Sequence, residues 1–267
     1  MRRFLLSGIR SVYGATALGA MAMLAVSFNA RAADFAPITK APPAVAVFNW
    51  TGFYLGANAG YGWARNTDRI TAVNDAAGLI ANNDIATSLP IDASGFVGGG
   101  QIGYNKQISP LWVVGLEADL AWTDINGRVS VPGPNDASRI MTGTQKLDWL
   151  GTVRGRVGVT PADRLLVFLT GGFAYGNGSL TTALTRTFGC AGNNCQQGST
   201  SGTLTGWTVG GGAEWAFAAN WSAKAEYLYY DLGSLSHRMT DPNFGSIFNA
   251  SVGFTGHVAR LGVNYRF

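Results

Sequence analysis

Residues 255–267 alternate without a break. Thr255, His257, Ala259, Leu261, Val263, Tyr265 and Phe267 fall on one parity, and Gly256, Val258, Arg260, Gly262, Asn264 and Arg266 on the other. Successive side chains of a β-strand point to opposite faces, so a period of two specifies a strand with two unlike sides. One side carries two arginines; the other runs through apolar residues into two aromatics. In water such an apolar side has nothing to cover it. In a membrane barrel, lipid covers it while a polar lumen accepts the arginines. The rest of the chain must then supply the strands that close this sheet.

Composition agrees. The 267 residues are 47% hydrophobic and only 13% charged, yet beyond residue 30 no apolar run approaches the eighteen or so that a spanning helix needs. Thirty-seven glycines and nine prolines further disfavour helices. Two-residue alternation recurs at about 52–63, 94–107, 112–123, 145–159, 164–177, 203–217 and 221–232, making eight strands with the last. The clearest sets Trp112, Val114, Leu116, Ala118, Leu120 and Trp122 against Val113, Gly115, Glu117, Asp119, Ala121 and Thr123.

The connections at 108–110, 160–163 and 218–220 are short, and those between them are long and polar. Alternating long and short connections along an even number of strands is the pattern of an outer-membrane barrel. Trp63, Trp112, Trp122, Trp149, Trp207, Trp215 and Trp221 fall near strand ends, as aromatic girdles do. Trp112 and Trp122, ten residues apart on one face, stand about 25 Å apart along the barrel axis at ~3.3 Å per residue and ~40° tilt. The sequence therefore predicts an all-β, eight-stranded, antiparallel, up-and-down transmembrane β-barrel over residues 49–267. A ten-stranded barrel is the alternative, should 70–89 fold back as a hairpin.

Residues 1–32 read as a cleaved signal peptide: Arg2, Arg3 and Arg10, an apolar segment over 15–26, and Ala30-Arg31-Ala32. A Pro/Ala-rich linker follows at 33–48. The segment holds four of the nineteen basic residues and no acids, so the mature chain carries fifteen of each sign. The pI of 9.2 thus implies no nucleic-acid partner. Cys190 and Cys195, in a Gly/Asn-rich stretch of an exported chain, are expected to form a disulfide. Two thiols without a neighbouring histidine make no metal site, and no cofactor is expected.

The 49–56 stretch Asn-Trp-Thr-Gly-Phe-Tyr-Leu-Gly, the long connections and the Asn264-Tyr265-Arg266-Phe267 ending resemble the alphaproteobacterial outer-membrane β-barrel family. Its members include outer-membrane immunogenic and "porin family" proteins, related to OmpA-type eight-stranded barrels. The resemblance spans 48–267. It implies an abundant surface antigen in the outer membrane with both termini periplasmic, and it transfers no catalytic residue. The peptidoglycan-binding domain of longer relatives is not expected after the last strand. Tyr265 and Phe267 resemble the signal read by the outer-membrane assembly machinery. Lipid and lipopolysaccharide are the implied surroundings, and extracellular ligands would meet the long loops.

Inward parity collects Glu117, Asp119, Asp148, Arg154, Arg156, Glu214, Lys224, Glu226, Arg260 and Arg266. An eight-stranded barrel is only wide enough for its side chains to fill it, and unpaired buried charges are costly. These ten are therefore expected to form an ion-pair core that plugs the lumen. A narrow channel for small solutes is the alternative. A lipid-modifying enzyme is remote: it needs a histidine with a serine nearby. His237 lies beside Ser234 and Ser236, and His257 has Ala259, not serine, two residues on. The runs Gly98-Gly99-Gly100 and Gly210-Gly211-Gly212 precede no helix and are not phosphate loops. Phe244, Ile247 and Phe248 are expected either to contact a partner or to pack on the rim.

Overall fold

A computed structural model of the chain describes residues 48–74, 76–189, 195–240 and 247–267. The expected signal peptide, nearly all of the linker, Cys190 and Phe244 lie outside them. Eight antiparallel strands run in chain order around one ring: β1 (Gly52–Val73), β2 (Ser88–Gln107), β3 (Trp112–Pro132), β4 (Arg139–Ala162), β5 (Leu165–Arg186), β6 (Gln196–Ala216), β7 (Trp221–Thr240) and β8 (Ile247–Arg266). β1 pairs with β8, from Tyr54–Arg266 to Val73–Ile247, which closes the barrel. The one helix among the described residues, α1 (Ala76–Ala81), lies within 70–89, so that stretch does not form a further hairpin.

The strands exceed expectation at one end. They have 20 to 24 residues, whereas crossing a membrane takes about 9–11. Most of the polar sequence read as long loops is barrel wall. The connections that remain at that distal end are 74–87, 133–138, 187–195 and 241–246, while 108–111, 163–164 and 217–220 are turns at the proximal end, where Phe48 and Phe267 also lie.

The two halves have opposite polarity. Outward side chains of the proximal half include Phe53, Leu116, Leu169 and Leu261, all well exposed. The distal half shows Arg65, Thr67, Arg69, Ser88, Asp92 and Arg128 to the outside. Inside, the order reverses. The proximal lumen holds the buried charges, and the distal interior is apolar, with Leu147, Leu180, Leu228, Val252 and Phe254 in one cluster. A second cluster near the tip joins Ile70, Leu89, Met141 and Phe248 to Ala76, Ile85 and Ala86 from α1 and its flank. Phe248, expected either to contact a partner or to pack on the rim, is thus core. Trp63, Trp122, Trp149 and Trp207 mark the level of the outer switch, and Trp112, Trp215 and Trp221 the proximal border.

Pairing is also uneven. β2–β3 pairing ends distally at Ser94–Asn126 and β6–β7 pairing at Trp207–Asp231. All other neighbours stay paired into their distal segments. The distal half is therefore two four-stranded sheets, β7–β8–β1–β2 and β3–β4–β5–β6, packed over the apolar clusters. Irregularities sit where the seams begin, at Trp122/Ile125 in β3, Leu147/Trp149 in β4 and Asp231/Ser234 in β7. A bulge adds one residue and re-aims the strand.

Candidate functional site

The lumen of the proximal half is built from cross-strand partners. Glu117 on β3 is in register with Arg154 on β4, Glu226 on β7 with Arg260 on β8, and Glu214 on β6 with Lys224 on β7. Side chains directly opposite on one face lie within reach of each other. The curvature of a small barrel then aims every inward side chain at the same axis, so partners also form across it.

Arg154 is the hub. Its Nη2 donates to Glu117 Oε1 at 2.5 Å and Asp119 Oδ2 at 2.8 Å, its Nη1 to Glu226 Oε1 at 2.8 Å, and its Nε to Thr152 Oγ1 at 2.8 Å. Arg260 bridges the same acids, with Nε on Glu226 at 2.8 Å and Nη1 on Asp119 at 2.9 Å. Lys224 does not pair with Glu214, its register neighbour. It crosses to Glu117, 2.9 and 2.8 Å from the two oxygens. Glu214 instead takes Arg156 at 2.9 Å, with Ser222 and Asn264 donating to its other oxygen. Arg156 also lies 3.9 Å from the centre of the Phe168 ring, a cation–π contact. All eight side chains are at most 3% exposed. Four acids meet four bases, so the layer is neutral, and charge-assisted hydrogen bonds of this kind are strong and directional.

Two of the ten expected members are elsewhere. Asp148 sits at the β4 bulge, which turns it outward beside Lys146 at 3.2 Å and brings Leu147 into the core. One inserted residue flips the parity on which the expectation rested. Arg266 stands at the proximal mouth. It donates to the Ala219 carbonyl and stacks 4.2 Å over Phe48, which packs against the buried Trp50. The barrel's packing thus includes Phe48, one residue before the expected start. Neutral members were not singled out from sequence: Tyr54 donates to Glu117 at 2.7 Å, and Asn58, Gln101 and Asn264 form a hydrogen-bonded row. Inward parity beside an acid would have found them.

The two histidines have different surroundings. His257 Nδ1 lies 2.7 Å from the Tyr227 hydroxyl, and its ring stacks on Trp63 at the outer switch level. His237 lies in the distal half of β7 against Gly198 of β6, with no hydrogen-bond partner on either ring nitrogen.

A family model described as an outer membrane protein beta-barrel domain matches residues 18–267. The chain belongs to that family. Two relatives are 35% identical to this outer-membrane barrel over 254 residues, 92% of this chain and 98% of each relative. They are the 31 kDa outer-membrane immunogenic proteins of Brucella melitensis and Brucella suis. Among solved structures, OprG from Pseudomonas aeruginosa aligns with 82% of this outer-membrane barrel and 98% of its own chain, at a TM-score of 0.49 and 12% identity.

Proposed function

We propose that this outer-membrane barrel is a non-conducting structural protein that stiffens the envelope and presents its distal half as a rigid surface antigen. One observation carries this reading: the lumen is filled at two successive levels by unlike packing. Proximally the space is taken by the neutral ion-pair layer around Arg154. Beyond it Leu147, Leu150, Leu180 and Phe254 fill the interior with apolar side chains. An ion would have to part the first and then shed its water in the second, which is costly. The relatives named as immunogenic support the surface role.

On this reading both termini face the periplasm and the distal half stands outside the cell, among lipopolysaccharide. Residues 1–32 direct export, and 33–48 form the approach to the barrel. Tyr265 and Phe267, both outward-facing, dock on the assembly machinery. Cys190 and Cys195 close a loop by a disulfide. The experiment is single-channel recording on the refolded protein in planar bilayers. Silence is expected, and discrete steps that change with Arg154→Met or Glu117→Gln establish the solute channel instead. Enzymatic action on lipid, the third reading, predicts fatty-acid release lost with His257→Ala or His237→Ala, and none is expected.

A further inference from the structure

β1 and β8 part briefly just beyond the outer tryptophan level. Their backbone pairing stops at Trp63–His257 and resumes in the same register at Arg69–Ser251. Between those rows buried side chains take over from the ladder. Asn66 Nδ2 donates to the Thr255 carbonyl at 3.1 Å, and its Oδ1 accepts from the Thr255 hydroxyl at 2.9 Å. Gln145 Nε2 donates to the Gly253 carbonyl at 3.2 Å. On the outside, the parting coincides with a cavity of about 440 Å³ walled by Trp63, Arg65, Asp92, Ser94, Thr255 and His257. That volume lies within the range of small-molecule sites.

The cavity offers donors and acceptors together. Arg65 Nε lies 2.6 Å from Asp92 Oδ1, and the two side chains, 81% and 67% exposed, neutralise each other while keeping hydrogen-bonding capacity on their outer sides. Ser94 accepts from the Tyr61 hydroxyl at 2.9 Å and keeps its own proton to donate; Thr255 gives its proton to Asn66 and keeps lone pairs. Trp63 adds an aromatic wall. Directly below, on the lipid-facing side of the same seam, the barrel wall is hollow. Ala57, Ala59, Ala213, Ala225, Ala259 and Leu261 line two adjoining grooves of about 650 and 580 Å³, which share Ala59, Ala225 and Leu261. The second ends on Tyr61 and Tyr227, one outward row below Trp63 and His257. By contrast, β3 and β5 present Leu116, Leu120, Leu169 and Phe173 to the lipid.

We propose that this seam binds a saccharolipid of the outer leaflet, with a sugar ring of its head group in the cavity and an acyl chain in the groove beneath. The order of the two parts identifies the occupant. A half-polar cavity at the aromatic girdle, with an apolar groove on its lipid side, matches an amphiphile standing upright in the leaflet. Sugar hydroxyls both donate and accept, as the Arg65–Asp92 pair, Ser94 and Thr255 require, and the apolar face of the ring can lie on Trp63. A bare phosphate is less well matched, because it would meet the Asp92 carboxylate as well as Arg65. Alanines let an acyl chain sink into the wall and gain dispersion contacts on its sides as well as its base. The inference rests on the orientation proposed above, with the distal half outside the cell.

The test uses the whole refolded barrel in an amine-oxide detergent, which carries no sugar. The probe is purified lipid A, and phosphatidylglycerol with acyl chains of equal length is the comparison. Titration followed by native mass spectrometry should show one lipid A retained per barrel, with phosphatidylglycerol bound about tenfold more weakly. Asp92→Ala, at an exposed side chain, should weaken lipid A binding about tenfold, or ~1.4 kcal/mol. Ala225→Phe fills the groove from the lipid side without touching the cavity and should weaken it as much. Heat-dependent migration on gels shows that each variant is folded. No saturable binding, equal retention of phosphatidylglycerol, or insensitivity to either substitution overturns the site. Conductance in planar bilayers overturns the structural reading and leaves this site standing, whereas a silent barrel that ignores lipid A does the reverse.

Discussion

Arg154 touches three carboxylates at once, on β3 and β7, and is itself completely buried. Removing it strands Glu117, Asp119 and Glu226 with too little positive charge in a dry lumen. Arg154→Met is therefore expected to cost ~3–5 kcal/mol, read by urea unfolding in micelles. Asp68 is the opposite case. It is fully buried in the distal half with Thr182 donating to one oxygen at 2.9 Å, while the other oxygen has no partner. Burial pushes its carboxyl above the usual carboxylate range, despite hydrogen bonds from Thr182 and the Ser251 backbone. A raised value means that the unfolded chain releases this proton first. The stability it contributes is full below the ordinary carboxylate pKa and is lost as pH rises through the folded one. Asp68→Asn keeps the Thr182 contact and cannot ionise. At about pH 8 it should be the more stable protein, and near pH 4 the advantage should vanish. An unchanged difference across that range in denaturant melts refutes the assignment.

Among the elements, bulges and α1 decide what periodicity does not. At Gly206 a Cβ would lie 1.8 Å from the Asp231 carbonyl, where β7 begins to leave β6. Gly206→Ala should therefore force the strands apart lower down and destabilise the barrel by ~1–3 kcal/mol, the range for overpacking. α1 and the residues after it form the cap. Ile85, fully buried against the tip cluster, cannot carry a charge there without exposing the core. Ile85→Asp should open the cap to limited proteolysis at 74–87. The proximal barrel should keep its heat-dependent migration on gels, because the two halves are cored separately. Coincident loss of both would show a single cooperative unit.

At the scale of the whole molecule the chain solves two solvation problems in succession. Where lipid surrounds it, apolar side chains face out and charges satisfy one another within. Beyond the tryptophan level water surrounds it, and the same strands invert, with polar rows outside and a dry core inside. A barrel whose wall continues as a two-sheet sandwich presents two broad sheet faces at that end. Assembly belongs to this scale too. Phe267 is largely exposed on the lipid side and its N–H closes onto the Phe53 carbonyl at 3.0 Å. Deleting it should reduce insertion in cells, measured as heat-modifiable barrel, more than it reduces stability after refolding in detergent.

The two-residue period by itself determined eight strands, their order and the lipid-facing side of each within the membrane, because a membrane enforces contrast between two faces over many residues. The same period placed Glu117, Arg154, Glu226 and Arg260 on one inner surface. It could not place Asp148, since a single extra residue at a bulge reverses every parity beyond it and leaves no mark in composition. Nor could it show the distal sandwich. There Arg, Ser and Thr stand on the outward rows, glycines such as Gly178, Gly198 and Gly202 interrupt the inward ones, the alternation is shallow, and the stretch reads as loop. Which base meets which acid, where β6 and β7 part, and that an apolar cluster follows the ion-pair layer were decided only by the closed curvature of the barrel. Closure brings together side chains from strands far apart in sequence, such as Lys224 and Glu117.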